Sequence, residues 1–456
     1  MRKFSAARHV VRPVGAVAAA IAFAGCSTDI LTVDTPDVIS ESAIGGSLGA
    51  TTLRNGAMQD FIVAFSGSGD GFVVSTGNMG DEIQTTDTFA DRYNTDMRNQ
   101  NEVLGGAINT MYNNLQLARA GMTTAIEAWT KAKTSTATAV KDSLAEMYAI
   151  RGFTENFFSE AYCSGVPFSK VNSDGTFAYG DPLTTAQMQT IASASLDSAN
   201  TLATGTTAKS LAAVGKARVL LNIGQYAQAA AAVSGVATSF KYQVFHSAST
   251  GRQNNGIFTS TYQQGSRYSA GTSEGTNGID YMTTPADPRA LWTANGHTGF
   301  DDAARRAPRQ EKYNALGSAV TLADGIEARL IEAEAALNSA GASGSQAARD
   351  QMTTILNTLR SSGGVAGLAA LTSPTTQDAA VNMLFRERGL WMWLIGHRFG
   401  DMRRLIRQYG RAANTVFPTG NVAYRPGNTY SNDVTFIVPF PERNNPKFNG
   451  CINRNP

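Results

Sequence analysis

The sequence predicts a mainly α-helical fold carrying one irregular, loop-rich insert. Three observations predict it: long segments with apolar residues at the 3.6-residue helical period, two helix pairs each split by glycine, and about 65 intervening residues without that period. The chain has 456 residues, of which 42% are apolar, enough for a sizeable core. That length fits two or three domain-sized pieces or one large compact domain. Only 16% are charged, against about 25% in an average soluble domain. The surface must therefore draw on Ser, Thr, Asn, Gln and the 44 glycines. A balance of 38 basic to 36 acidic residues argues against a nucleic-acid protein. Three cysteines exclude a cysteine-rich zinc fold or a dense disulfide scaffold.

Residues 1–25 read as an export signal. Arg2, Lys3, Arg8 and Arg12 form a basic start without acids, and Val14 to Ala24 is an apolar run too short to span a bilayer. Phe23-Ala24-Gly25-Cys26 resembles the lipobox of bacterial lipoproteins, whose processing would leave Cys26 as the lipidated N-terminus, with 26–40 as a polar tether. The alternative is an ordinary secreted protein cut near Ala24. Ser27 after Cys26, in place of Asp, favours transfer to the outer membrane. Losing four basic residues from 38 leaves 34 against 36 acids, a net charge of −2. Cys163 and Cys451 remain. In an oxidising compartment they suggest a disulfide, the alternative being two buried thiols.

Helical period then runs through Glu102–Trp129, Val140–Phe158, Ala186–Leu202 behind a Thr184-Thr185 cap, and Leu211–Val236 split at Gly224. It resumes in Leu322–Leu337 and Gln346–Leu359, split by Gly341 to Ser345, and in Asp378–Gln408. Between the two sets, Phe245–Arg309 is rich in Gly, Asn, Ser and Thr, with scattered aromatics including Phe258, Tyr262 and Phe300. A segment so long without periodicity is expected to be functional, and its aromatics indicate a folded one.

Catalytic motifs are weak. Gly271-Thr272-Ser273-Glu274-Gly275 matches the G-x-S-x-G pattern, but its flanks are polar loop instead of strand and helix, so it reads as a chance match. Gly67 to Gly71 lacks the Lys-Ser/Thr ending of a phosphate loop and reads as a flexible turn. His246, His297 and His397 show no metal-ligand spacing, and no metal or cofactor is expected. Asp81, Glu82, Glu274, Asp280 and Asp287 could serve a glycoside hydrolase, which needs two facing carboxyls; the plainer reading is solvated loop acids. In Phe385–Arg404, Leu384, Trp391, Leu394, Ile395, Phe399 and Met402 are expected to face a core. Glu387, Arg388, Arg398, Asp401 and Arg403 are expected to pair around them, and Gly396 and Gly400 suggest a kink or a close helix contact.

Leu211–Val236 resembles a tetratricopeptide (TPR) hairpin, with Ala217, Leu220, Gly224, Tyr226, Ala229 and Val233 near the repeat's spacings, and Leu322–Leu359 is a looser copy. The pieces in order resemble the SusD/RagB family of nutrient-binding outer-membrane lipoproteins. The lipobox with Asp29-Ile30-Leu31-Thr32-Val33, the Ser164-Gly165-Val166-Pro167 turn, Asp287-Pro288-Arg289, and Ala328 to Leu337 are similar to family segments. So are Arg386-Glu387-Arg388 with Gly396-His397-Arg398-Phe399 and Asp401-Met402-Arg403-Arg404, and the closing Phe436 to Pro446. Ile395 departs from the usual Glu before Gly396.

The resemblance implies one SusD-like domain over 41–456, with TPR-like helices over about 102–240 and 318–410 and a ligand-binding insert over about 245–315. It implies a non-catalytic, surface-exposed binder of glycans or other nutrients, lipid-anchored in the outer membrane and seated on a SusC-like TonB-dependent barrel. Aromatic faces stacking on sugar rings would carry recognition. The candidate ligand residues are Asp81, Glu82, Phe89, Arg92 and Tyr93 in one region, and Tyr268, Tyr281 and Trp292 in the insert. Trp129, Trp391 and Trp393 are expected to be packing. Two other readings stay open: a TPR-like envelope scaffold and a surface glycan hydrolase.

Overall fold

Small residues dominate α1 (Gly46–Ile62), the first helix among the described residues of the computed structural model, which runs on into a π-helical turn at Val63–Gly67. The structure describes residues 46–172, 176–301 and 306–456. The expected signal 1–25, Cys26 and the tether lie outside them. Gly45–Pro456 forms one contact unit.

After α2 (Phe72–Met79), β1 (Ile83–Thr85) and α3 (Ala90–Asp96) come the helices of the main stack. They are α4 (Gly106–Ala132), α5 (Thr138–Ala161), α6 (Thr185–Leu202), α7 (Thr206–Asn222) and α8 (Tyr226–Val233), with the short strands β2 (Val166–Pro167), β3 (Lys170–Val171), β4 (Phe177–Ala178) and β5 (Pro182–Leu183) between α5 and α6. Each packs on the one before it, as the repeat spacing predicts. Thr184 caps α6 with a full capping box, its side chain and that of Gln187 each meeting the other's backbone N–H. Close approach in the stack depends on two glycines. A Cβ at Gly152 or Gly215 would lie 2.6 or 2.5 Å from Leu196 side-chain atoms. An aromatic cluster seals α1 and α2 onto α5, with Phe72 and Phe157 ring centroids 4.1 Å apart.

The chain leaves this stack at β6 (Lys241–Val244) and returns at β10 (Val320–Asp324), and the two strands pair antiparallel from Lys241↔Asp324 to Val244↔Val320. The next helix, α10 (Gly325–Asn338), packs directly on α8, and α11 (Gln346–Ser362) on α10. The 75-residue excursion holds α9 (Gly256–Thr261), β7 (Tyr268–Ala270), β8 (Trp292–Thr298) and β9 (Arg306–Gln310). The expectation that Leu322 opens a helix is corrected here. Leu322 lies in β10, and Asp324 caps the helix that follows, accepting from Glu327 N at 2.8 Å.

The expected helix Asp378–Gln408 is two helices, α12 (Gln377–Trp391) and α13 (Arg398–Tyr409). The break is an elbow in which Leu394 has φ 54° and Gly396 φ 81°. Gly400 lies inside α13 with only ordinary contacts to Glu160. The charged residues around the elbow form a buried lattice. Arg388 grips Asp401 at 2.7 and 2.9 Å, and Arg404 holds Glu334 and Asp401. Arg289 and Arg360 share Glu387 at 2.7 Å each. Arg403 departs from the expected pairing: it donates to the carbonyls of Ser159, Glu160 and Tyr162, capping the end of α5.

Cys163 and Cys451 are bonded, with Cα atoms 5.8 Å apart. Beside them the C-terminal strand bonds Ser164 through Asn453 O and Ile452 N, at 2.9 and 2.7 Å. Gly165 (φ 118°) permits this approach, since a Cβ there would meet Ile452 N at 3.0 Å.

Candidate ligand-binding site

Two regions distant in sequence meet through one short ladder. Strand β1 (Ile83–Thr85) pairs antiparallel with β7, Thr85 opposite Tyr268. Beyond it, Thr86 N donates to Arg267 O and Asp301 N to Thr86 O, both at 2.9 Å. A cavity of about 240 Å³ opens along this seam, lined by Gln84, Thr86 and Thr272 with Asp301, Pro308 and Tyr424.

Beside the cavity stands an exposed aromatic pair. Phe89 is 53% and Phe300 43% exposed, a state two large apolar rings adopt at a cost. The Arg267 guanidinium bridges them, 5.2 Å from the Phe89 ring and 3.4 Å from that of Phe300. Arg92 also lies 5.2 Å from Phe89. Both arginines are anchored by Asp87, which is fully buried and accepts from Arg267 at 2.9 Å and from Arg92. Burial acts to raise the Asp87 carboxyl, but the Arg92 contacts and local N–H bonds hold it below the usual carboxylate range. Arg92 is gripped again by Asp70 at 2.9 and 2.6 Å, and Tyr268 donates to Asp70 at 2.7 Å. Arg425 completes the rim, 4.7 Å over Tyr93 and 3.4 Å from Asp301.

Under the cavity lies a buried acid pair, Asp96 and Glu274, 1% and 3% exposed. Burial pushes Asp96 up to about 7, and pushes Glu274 well above its ordinary value with the Asp96 charge adding to the effect. Tyr424 bonds Asp96, and Tyr430 donates to Glu274 at 3.4 Å. The pair retains a proton between its two carboxyls near neutral pH, beneath a polar cavity.

The expected site residues divide accordingly. Phe89, Arg92 and Tyr93 belong to this surface. Asp81, Glu82, Tyr268 and Tyr281 are corrected to buried framework, each no more than 1% exposed. Asp81 is gripped by Arg398 at 2.8 and 2.7 Å and accepts from Ile279 N at 2.8 Å. Tyr281 points its hydroxyl at Asp81 and stacks near Trp393, with centroids 6.0 Å apart. Glu82 accepts the Leu394 N–H at 2.7 Å, fixing the elbow between α12 and α13. The reading of Asp81, Glu82 and Glu274 as solvated acids is therefore overturned, whereas Asp280 is exposed. Trp292 is half-buried at the opposite end of β8 from Phe300. Trp129, Trp391 and Trp393 are buried in packing.

Among the described residues no helix follows Ser273 before α10, so the serine motif has no strand–turn–helix frame there. Among the described residues there is no cluster of three potential metal ligands, and no helix long and apolar enough to cross a membrane. Sequence reasoning missed Asp87, Arg267, Phe300 and Arg425. Phe300 had a signal, as an aromatic in a polar insert; the charged three had none without the β1–β7 pairing.

No family model and no curated protein matches the sequence. Solved structures do. A SusD-like carbohydrate-binding protein from Bacteroides vulgatus ATCC 8482 superposes with a TM-score of 0.60 at 15% identity, over 89% of this chain and 97% of that one. A laminarin-binding SusD-like protein gives 0.60 at 14%, over 90% and 99%. A surface glycan-binding protein A from Bacteroides uniformis gives 0.63 at 14%, over 88% and 98%. The architecture these proteins share with the chain is the mainly helical, SusD-like fold.

Proposed function

We propose that this chain, a protein of SusD-like fold, binds glycans at the cell surface without turning them over. The observation that carries the reading is the exposed Phe89–Arg267–Phe300 face beside a polar cavity. Apolar ring faces suit the C–H faces of sugars, and the Thr86, Thr272, Gln84 and Asp301 side chains suit their hydroxyls. Two of the structural neighbours named above are described as binding laminarin or surface glycan, which supports the same class of ligand. Cys26 then anchors the protein by lipid to the outer membrane, and a SusC-like TonB-dependent barrel receives the cargo.

Calorimetry against a panel of β-glucan, xylan and mannan oligosaccharides tests binding. Phe89→Ala and Phe300→Ala are each expected to weaken the bound oligosaccharide about tenfold, with stability unchanged because both rings are exposed. Binding of no oligosaccharide, or wild-type affinity in both variants, refutes the reading. The anchor is tested by palmitate labelling of wild type against Cys26→Ser, and the partner by co-purification of a stoichiometric barrel.

A further inference from the structure

A second cavity, of about 360 Å³, opens between the β6–β10 pair, the loop after α11 and the elbow following α12. Its walls are Trp391, Ile395, Ile326 and Leu291. Gly363 packs against the indole edge, since a Cβ there would lie 2.7 Å from the Trp391 ring, and Trp391 keeps only 8% exposure, whereas Leu291 is 50% exposed. The floor is therefore apolar.

Its charges are uneven. Arg289 lines the cavity but is already matched by Asp287 and Glu387. Lys241 and Lys312 also line it, and among the described residues neither has a carboxylate within ion-pair distance. Lys312 makes one hydrogen bond, to Trp393 O, which leaves two of its three donors unfilled. Lys312 is itself exposed to solvent along the cavity. Two acids temper the charge. Asp324 lines the cavity, but one of its oxygens is committed to the cap of α10. Glu82 stands behind Lys312, its carboxyl pushed up to about 8 by burial, so it stays largely protonated at neutral pH. One net positive charge remains over an apolar floor.

We propose that this cavity is a second binding site, selective for the carboxylate of an acidic sugar, with Lys312 and Lys241 as its ammonium donors and the exposed Leu291 against the ring. The sugar half of this statement rests on the glycan reading above; the anion half rests on the two lysines alone. The cavity with Lys312 and Leu291 lies at one end of the β8–β9 hairpin, and Gly299, Asp301 and Ala307 of the first cavity lie at the other. At strand rise that separation is about 20 Å, so one extended oligosaccharide could engage both.

The test titrates the whole protein with an oligogalacturonate, its neutral methyl ester, and benzoate as a non-sugar carboxylate. The expected result is acid bound at least about tenfold more tightly than ester, with the preference abolished in Lys312→Met and reduced in Lys241→Met. Lys241 is exposed on a strand, so Lys241→Met reports even if Lys312→Met fails to fold. Equal affinity for acid and ester, unchanged by both variants, overturns the inference and leaves the glycan reading standing. Lysine-dependent benzoate binding with no oligosaccharide bound upholds the anion site and overturns the glycan reading. Binding of none of the three overturns the site.

Discussion

Replacing Glu82 by Gln should make the protein more stable at neutral pH, although it removes a fully buried charge-bearing group. Glu82 Oε1 holds the Leu394 N–H, while Oε2 is buried without a partner. An amide keeps the first contact and loses nothing at the second. The carboxyl has an ordinary value of 4.5 and about 8 in the fold, chiefly through burial. The folded state thus holds its proton more tightly than the unfolded chain. Its contribution is fully present below pH 4.5, shrinks as pH rises, and is exhausted above about 8. Linkage between those values removes about 3 kcal/mol by pH 7 and about 5 kcal/mol in full. Lys312 acts with opposite sign at higher pH. Its folded value of about 8 lies below its ordinary 10.5, so its penalty is relieved as pH climbs from 8 to 10.5. Urea midpoints at pH 5, 6, 7 and 8 measure the effect. The two proteins should be near parity at pH 5, with Glu82→Gln ahead by about 3 kcal/mol at pH 7. Other buried acids shift both curves alike and cancel in the difference. Parallel curves across the range would refute the assigned burial of the charge.

Arg398→Met strands Asp81 with only the Ile279 N–H and Tyr281 hydroxyl, and should cost about 3–5 kcal/mol by denaturant midpoint; adding Asp81→Asn should recover part of it. A loss under 1 kcal/mol would show that the pair is not buried. Cys451→Ser opens a link across 288 residues and should cost up to about 5 kcal/mol. Reduced wild type should then melt with the variant, and an unchanged midpoint on reduction would contradict the bridge.

Local chemistry made part of the fold legible. The Thr184–Gln187 box, the glycine at 224 and the apolar period of α4 to α7 are signals carried within a few residues. The helix α1 was not, because Gly, Ala and Thr give it almost no apolar stripe. The elbow at 392–397 escaped for another reason. Leu394 and its neighbours suit a helix, and the left-handed backbone there is held by contacts from far away, Glu82 on its N–H and Tyr313 on its carbonyl. Leu322 was misread likewise, since its strand exists only by pairing with residues some 80 positions earlier. At the site, charge type misled. Asp81 and Glu82 sit in polar sequence, yet Arg398 and the Leu394 N–H draw them inside. Phe89 and Phe300 could be suspected singly, but their common face depends on Arg267 and the β1–β7 register.

The antiparallel seam between Lys241–Val244 and Val320–Asp324 has a consequence for heredity as well as for shape. The excursion begins and ends on adjacent strands, so insertions, deletions and drift within it leave the spacing of the helices on either side untouched. The solved structures that share the fold superpose over 88–90% of this chain at 14–15% identity, so the frame tolerates wide change in sequence.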